Sequence, residues 1–504
     1  MKTKGMAHQI EALNRMTGRS TYALFMEQGT GKTWTLLADA ERLYSAGKID
    51  ALFVIAPKGV HTNWVMREIP EHVDAPVIAR AWRSGGGKKA RAKLEELFKP
   101  REPGEPVPLR VLSMNIDAIM TKDGCEFARR FLLATKALFV IDESSRIKNP
   151  DAGRTKAIMR LRHLAVAARI ATGTPITNAP VDVFAQMEFL ESGLLGTTSH
   201  RAFVAEYAEL MNANHPMMKS MIQRNPRVAQ AQIVARNPDG SPRWRNLDKL
   251  QKLLEPHSFR VLKRDCLDLP EKIYKQHPFE MTMEQSRAYE MLSEQLRVRL
   301  EDGEEAVVSA LAALVKLQQI TSGFVIPPGG GDPIYVGEKN PRLAALVELV
   351  EDLNGQFIVW ARFREELNHI AAALRKAGLR VAEYHGGVNT AEREAAVDGF
   401  QRGEIDVFVG QPQSGGIGLT LTRAETVIYY SNDFNLETRL QSEDRAHRIG
   451  TKHHVVYIDL VAQDTIDEGV ARALQRKTDV AANVLGDLTR GKSAIIPASE
   501  RRTR

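Results

Sequence analysis

Short apolar runs alternate with amphipathic segments in two separate stretches of the chain. The first stretch has runs at residues 22–26, 51–56, 110–113, 137–141 and 169–172; the second has them at 356–360, 380–384, 406–409, 426–430 and 455–460. Each run is four to six residues long and bounded by Gly, Pro or polar residues. That is the pattern of strands buried on both faces of a parallel sheet. Helical periodicity fills the intervals, as at 33–46 and 89–98. The alternation restarts after a break, which predicts an α/β chain with two parallel-sheet domains.

Residues 190–345 read differently. Helical segments over 283–300 and 304–319 dominate there. Asn237-Pro-Asp-Gly-Ser-Pro242 marks a hairpin turn, and residues 327–333 (Pro-Pro-Gly-Gly-Gly-Asp-Pro) predict a mobile loop. The tail after Gly486 loses apolar periodicity and is expected to fray.

Composition narrows the class. The chain has 504 residues, 43% hydrophobic and 26% charged, a globular balance. No apolar run approaches the roughly 20 residues that span a bilayer, and the N-terminus has no signal-peptide core. An intracellular soluble protein with no membrane partner is the expectation. The two cysteines, Cys125 and Cys266, cannot form a disulfide scaffold and are expected reduced and buried.

The net charge is +7, from 69 Lys and Arg against 62 Asp and Glu. Its placement matters more than its size. Residues 83–93 hold five bases and no acid (Arg83, Lys88, Lys89, Arg91, Lys93); 219–245 hold six bases against Asp239; 486–504 hold five against two acids. The rest of the chain is net acidic. Trp244 between Arg243 and Arg245 suits stacking on a base, with a solvated loop as the plainer reading of each run.

Three motifs carry chemistry. In Phe25-Met-Glu-Gln-Gly29-Thr30-Gly31-Lys32-Thr33 a strand pattern leads through glycines into a helix, the context a phosphate loop requires. Backbone N–H groups close around phosphates, Lys32 reaches the β/γ-phosphates and the Thr33 hydroxyl ligates Mg²⁺. Met26 stands where the full Walker pattern has Gly, so the match is to the shorter GxGKT form. Leu138-Phe-Val-Ile-Asp142-Glu143 is an apolar strand ending in two carboxylates, one to hold Mg²⁺ and one to polarise a water. Gln441-Ser-Glu-Asp-Arg445-Ala-His-Arg448 places two arginines at i and i+3, which predicts that they share one helical face, with the charge an arginine finger supplies.

In this order the motifs resemble a superfamily 2 helicase-type motor, and more narrowly the SNF2 family. Ala7-His8-Gln9 resembles the adenine-reading Q motif, and Pro57-Lys58 with Asn63-Trp64 resembles motif Ia. Ser113-Met-Asn115 sits at a further nucleic-acid motif. Asp142-Glu-Ser-Ser-Arg-Ile-Lys148-Asn149 is similar to motif II, and Thr172-Gly-Thr174-Pro-Ile-Thr-Asn178 to motif III. Residues 250–272 resemble the exit of the first lobe. Trp360-Ala-Arg362-Phe363 is similar to motif IV, Gln413-Ser414-Gly415-Gly416-Ile-Gly418 to motif V, and Asp444-Arg445-Ala-His-Arg448-Ile-Gly450 to motif VI. The resemblance covers roughly residues 6–475.

The resemblance implies two RecA-like P-loop lobes with helical insertions. Residues 1–190 would form lobe 1, 191–270 a helical and hairpin protrusion and lobe exit, 271–345 a linker and helical insertion, 346–485 lobe 2, and 486–504 a basic tail. ATP and Mg²⁺ would be held by Gln9, Gly29, Thr30, Gly31, Lys32, Thr33, Asp142 and Glu143 from lobe 1, and by Gly416, Arg445 and Arg448 from lobe 2. DNA, duplex or branched, would be held without sequence preference through Pro57, Lys58, Ser113, Asn115, Arg362, Ser414 and Gly415, since phosphate contacts carry register and no sequence information. Thr172, Thr174 and Gln441 would couple hydrolysis to movement.

Three departures stand out: Ser145 where many relatives have His, Thr451 where Gln is usual, and the motif V lead-in Gln411-Pro412-Gln413. Ser145 suggests a different link between motifs II and III, and Thr451 the loss of an interdomain hydrogen bond. The leading expectation is an ATP-dependent DNA translocase acting as a monomer in replication, repair or recombination. A bare motor suits a bacterial or phage-infected cytoplasm, or a nucleus if the source is eukaryotic. Alternatives are a strand-separating DNA or RNA helicase and a non-catalytic nucleic-acid clamp, which intact Lys32, Asp142, Glu143, Arg445 and Arg448 disfavour.

Overall fold

A computed structural model describes residues 1–504 except 84, 86, 100–106, 213, 216–217, 220–221, 224–231, 239, 303–305, 414–418 and 488–504. The chain folds into two compact units, which do not follow chain order. Unit 1 gathers the described parts of Met1–Leu210, Val234–Asp268 and Val480–Gly491; unit 2 gathers those of Met211–Ile233 and Leu269–Asp479.

Unit 1 is built on a seven-stranded, all-parallel sheet. Its strands are β1 (Thr21–Met26), β2 (Ala51–Ala56), β3 (Val77–Ala81), β4 (Leu109–Asn115), β5 (Ala137–Asp142), β6 (Ala167–Ala171) and β7 (Ser258–Val261), in the order β3-β4-β2-β5-β6-β1-β7. Alternate residues supply two cores, one per face. Phe25, Phe53, Phe139 and Ile141 face one layer; Leu24, Val54 and Val140 face the other. Burial on both faces is why these strands read as continuous apolar runs. Phe203, Tyr207, Leu250 and Leu254, from the span expected to protrude, lie inside the first of these cores.

Unit 2 has a six-stranded parallel sheet of β8 (Lys272–Phe279), β11 (Gln356–Trp360), β12 (Val381–Tyr384), β13 (Val407–Gly410), β14 (Ala424–Tyr429) and β15 (Val455–Ala462), ordered β12-β13-β11-β14-β15-β8. The expected helices appear as Met283–Asp302 and Ala306–Thr321. The expected loop at 327–333 closes a small antiparallel ribbon of β9 (Phe324–Val325) and β10 (Ile334–Tyr335). Of the expected turn at 237–242, Asp239 lies outside the described residues, and the Asn237 N–H donates to Ser241 O at 2.8 Å. Among the described residues no helix is long and apolar enough to cross a membrane.

Strands β3, β7 and β8 escape the hydrophobic pattern, and all three are edge strands. β3 is half-buried throughout and carries Arg80; β7 and β8 include half-buried or exposed polar positions. An edge strand buries less, so its composition says less.

Candidate active site

Strands β5, β6 and β1 are parallel neighbours, and Ala171 at the end of β6 pairs in register with Asp142 on one side and Leu24 on the other. The three loops that follow therefore leave the same edge of the sheet. These loops carry the Gly29–Gly31 turn, Glu143, and the Thr172–Thr174 segment. Ligands of open parallel sheets bind at this carboxyl edge.

The phosphate loop needs its glycines. Gly29 and Gly31 have φ of +77° and +83°, a left-handed conformation that side chains resist. A Cβ on Gly31 would also lie 1.9 Å from Gln9 Nε2. Gln9 fills that space: its Nε2 donates to Gly31 O at 3.2 Å and its Oε1 accepts from Met6 N at 2.7 Å. The side chain expected to read adenine is thus placed against the loop. Helix Lys32–Ser45 starts at the turn, so Thr33 sits in its first turn. Lys32 is buried, its Nζ donating to the carbonyls of Met26 at 3.1 Å and Glu27 at 3.4 Å.

Opposite the loop, Asp142 is buried, and Trp64 Nε1 donates to its Oδ2 at 3.0 Å. Burial, reinforced by the neighbouring Glu143 carboxylate, pushes the Asp142 carboxyl up to about 6, against the opposing Trp64 bond and Lys32 charge. Glu143 has φ 56° and ψ 61°, a strained setting for a non-glycine residue. Thr172 Oγ1 donates to its Oε2 at 3.0 Å, and Gln28 Nε2 to its Oε1 at 3.4 Å. Thr174 N donates to Thr172 Oγ1 at 3.2 Å. Both predicted coupling threonines therefore lie on one path to this carboxylate.

Motifs II and III are joined twice more. Ser144 Oγ donates to Gln186 Oε1 at 2.7 Å, and Gln186 Nε2 donates to Pro175 O at 2.7 Å. Lys148 Nζ donates to the Thr177 hydroxyl. These links run beside Ser145, itself buried. From β7, Arg260 Nη1 reaches the carbonyls of Phe25 at 3.1 Å and Gly173 at 3.2 Å and pairs with Asp487 through Nη2 at 2.7 Å. Sequence reasoning missed Gln186 and Arg260, and no local signal marks either.

The donor set fits Mg²⁺. A carboxylate and a hydroxyl are hard oxygen ligands beside a loop that presents N–H groups to phosphate. Of the cysteines, both are half-buried rather than buried; burial raises the Cys266 thiol to about 11, which leaves it protonated and unreactive at neutral pH.

In unit 2 the arginine segment departs from expectation. Helix Leu436–Ala446 ends before Arg448, so the two arginines do not share a helical face. His447 leaves the helical conformation (φ −102°, ψ 86°) and its Nε2 pairs with Pro270 O at 2.7 Å. Thr451 Oγ1 accepts from Arg448 N at 3.1 Å and donates to Ala446 O at 2.7 Å, closing the turn within the same unit. Arg448 Nη1 donates to Thr420 Oγ1 at 2.9 Å, Arg445 is buried, and Gln441 Nε2 bonds Glu437 Oε1 at 3.1 Å.

Beneath this helix lies a buried charged network that the sequence did not reveal. Glu443, fully buried, accepts from Arg439 Nε at 2.8 Å, Lys272 Nζ at 3.0 Å and the Tyr274 hydroxyl at 2.8 Å. Burial opposes ionisation, but the Lys272 and Arg439 charges outweigh it and hold the carboxyl below the usual carboxylate range.

The nucleic-acid candidates fare unevenly. Lys58 is exposed and Pro57 buried. Ser113, expected to contact nucleic acid, is fully buried inside β4. The Asn115 Oδ1 accepts from Ala118 N at 2.8 Å, capping a 3₁₀ turn. Arg362 bonds the Gln318 amide oxygen. Ser414, Gly415 and Gly416 lie outside the described residues, as does the tail beyond Asp487. Trp244 is half-buried and bridges backbone to backbone with Ala208, Arg243 pairs with Glu209 at 2.9 Å and Arg245 bonds Glu206 O at 3.2 Å. Arg83, Lys88, Lys89, Arg91 and Lys93 are all exposed.

A parallel-sheet phosphate-loop unit with an acidic pair, followed by a second parallel-sheet unit with an arginine segment, is the plan of a helicase-type P-loop protein. Residues 8–323 match the SNF2-related domain and residues 341–450 the helicase conserved C-terminal domain. The chain belongs to the SNF2-related family. It is 26% identical over 465 residues to the Bacillus subtilis (strain 168) protein that bears the name "Putative ATP-dependent helicase/translocase YwqA", covering 90% of this chain and 45% of that protein. It is 24% identical over 454 residues to chromodomain-helicase-DNA-binding protein 1-like of Danio rerio, covering 88% of this chain and 40% of that protein. The chain thus spans less than half the length of these relatives. A solved Sulfolobus solfataricus SWI2/SNF2 ATPase core in complex with dsDNA matches at 22% identity and TM-score 0.39, over 97% of this chain and 94% of that one.

Proposed function

We propose that the chain is a DNA-dependent ATPase that couples ATP hydrolysis to movement along duplex or branched DNA. The observation that carries this reading is the setting of Glu143. Its carboxylate is held by Thr172 and Gln28 on the sheet edge that also presents Lys32 and Thr33. A fixed carboxylate there orients a water for attack and takes its proton, as phosphoryl transfer requires.

In this reading Gly29, Thr30 and Gly31 offer backbone N–H groups to the phosphates. Lys32 leaves the loop carbonyls to neutralise them. Thr33 and Asp142 would hold Mg²⁺, which when bound offsets phosphate charge. Arg445 and Arg448 supply further positive charge in the transition state. Thr172 and Thr174 of motif III respond to the state of Glu143, and Gln441 acts with the arginines. Lys58 and Arg362, with Ser414 and Gly415 of motif V, are proposed to bind DNA phosphates without sequence preference. Gln9 is proposed to act as the floor of the phosphate loop beside any adenine contact. A monomer at work on DNA in replication, repair or recombination, in a bacterial or phage-infected cell, is the setting proposed.

ATPase assays with no nucleic acid, single-stranded DNA, duplex DNA, a fork and RNA test the reading. Stimulation by duplex or forked DNA is expected; stimulation by RNA alone overturns it. Glu143→Gln should abolish turnover while ATP and DNA still bind, and retained turnover would reassign the general base.

A further inference from the structure

Trp64 has a role that packing does not explain. It is fully buried among Leu24, Leu52, Val54 and Val140, on one face of the unit 1 sheet. It opens a five-residue π-helical turn, Trp64–Glu68, inserted between the helices Val60–Asn63 and Ile69–His72. Such π-turns are rare and recur at functional sites. Here the turn opens on the residue whose indole Nε1 donates to Asp142 Oδ2 at 3.0 Å across 78 residues of sequence.

A buried tryptophan usually finds some partner for its N–H, so the choice of partner is the informative point. Among the described residues Trp82 and Trp360 leave the buried Nε1 unpartnered, while Trp64 directs its donor to the acidic pair. The indole engages one of the two carboxylate oxygens and so restricts rotation of the group.

We infer that Trp64 is a positioning residue for the metal carboxylate: it holds Asp142 in the orientation that receives Mg²⁺ with the nucleotide. The inference rests on the reading of Asp142 as the Mg²⁺ ligand. It also ties the Asn63-Trp64 part of motif Ia to the Asp142 carboxylate through the indole. Residues that orient a metal ligand commonly change metal affinity when removed, while ligand identity stays the same.

The test is Trp64→Phe, which keeps an aromatic ring and removes the N–H. A fluorescent ATP analogue is bound to the full chain across a Mg²⁺ titration and in EDTA. The Mg²⁺ needed for half-maximal binding should rise roughly tenfold, with affinity in EDTA unchanged within about twofold. A Mg²⁺ midpoint equal to that of the unaltered chain overturns the role of Trp64 alone. If nucleotide binding by the unaltered chain is indifferent to Mg²⁺ and to Asp142→Asn, the reading of Asp142 falls, and the inference with it.

Should Trp64→Phe fail to fold, the unaltered chain labelled with 5-fluorotryptophan gives an independent answer. The ¹⁹F resonance that moves on Asp142→Asn belongs to Trp64. It should move again when Mg²⁺ and nucleotide are added to the unaltered chain; a resonance that stays fixed overturns the inference.

Discussion

The Thr172 hydroxyl donates to Glu143 Oε2 at 3.0 Å while accepting from Thr174 N at 3.2 Å. One side chain thus ties the carboxylate proposed as general base to the backbone of motif III. Thr172→Val keeps the shape and deletes both bonds. A hydrogen bond to a charged group is worth roughly 1.5–3 kcal/mol, so turnover should fall about tenfold or more. Steady-state ATPase kinetics should show the loss in kcat, with KM for ATP within about twofold.

Gly31→Ala meets two obstacles at once, a φ of +83° and Gln9 Nε2 at 1.9 Å from the new Cβ. The loop can accept the methyl group only by expelling the Gln9 amide. Stability should drop by roughly 1–3 kcal/mol, read as a lower denaturation midpoint, with nucleotide affinity reduced in parallel. Gln9→Ala in the Gly31→Ala background should recover part of the loss.

Asp142 carries a pH signature. Its carboxyl sits at about 6 in the folded chain against 3.8 for the free group. Folding therefore favours the protonated form, and stability falls as pH rises from about 4 through 6. Above that window the buried charge costs about 2–3 kcal/mol. Asp142→Asn should melt higher than the unaltered chain at pH 7.5 in EDTA, with the two curves converging near pH 4. Equal melting temperatures across that range would contradict the burial argument.

The Glu443 network makes the opposite statement. Its carboxyl is held below the usual range, so the stabilisation is present above the unfolded value and is lost as pH falls through the folded one. Lys272→Met leaves the buried Glu443 charge partly uncompensated, and such a break typically costs about 3–5 kcal/mol. Adding Glu443→Gln should restore a good part of that loss. Chemical denaturation of the two single variants and the double variant measures the coupling.

The interior strands of both sheets were legible because each is buried on both faces and must be apolar along its length. The phosphate loop and the Asp142–Glu143 pair were legible because glycine spacing and a strand ending in acids are local signals. The edge strands β3, β7 and β8 were not, since half-buried strands mix polar and apolar residues. Arg445 and Arg448 do not share a helical face because the helix ends at Ala446 and His447 leaves the helical conformation, a tertiary outcome that their spacing does not encode.

What the sequence determined by itself was the list of chemical groups and the α/β class, both written in short-range patterns. What only the tertiary structure decided was who meets whom. Trp64 reaches Asp142 across 78 residues. Glu443 gathers Arg439, Lys272 and Tyr274. Ser113 is enclosed within its own sheet. The reason is physical: strand order and register set these meetings, and they arise from burying two faces of a sheet together rather than from the preferences of any one segment.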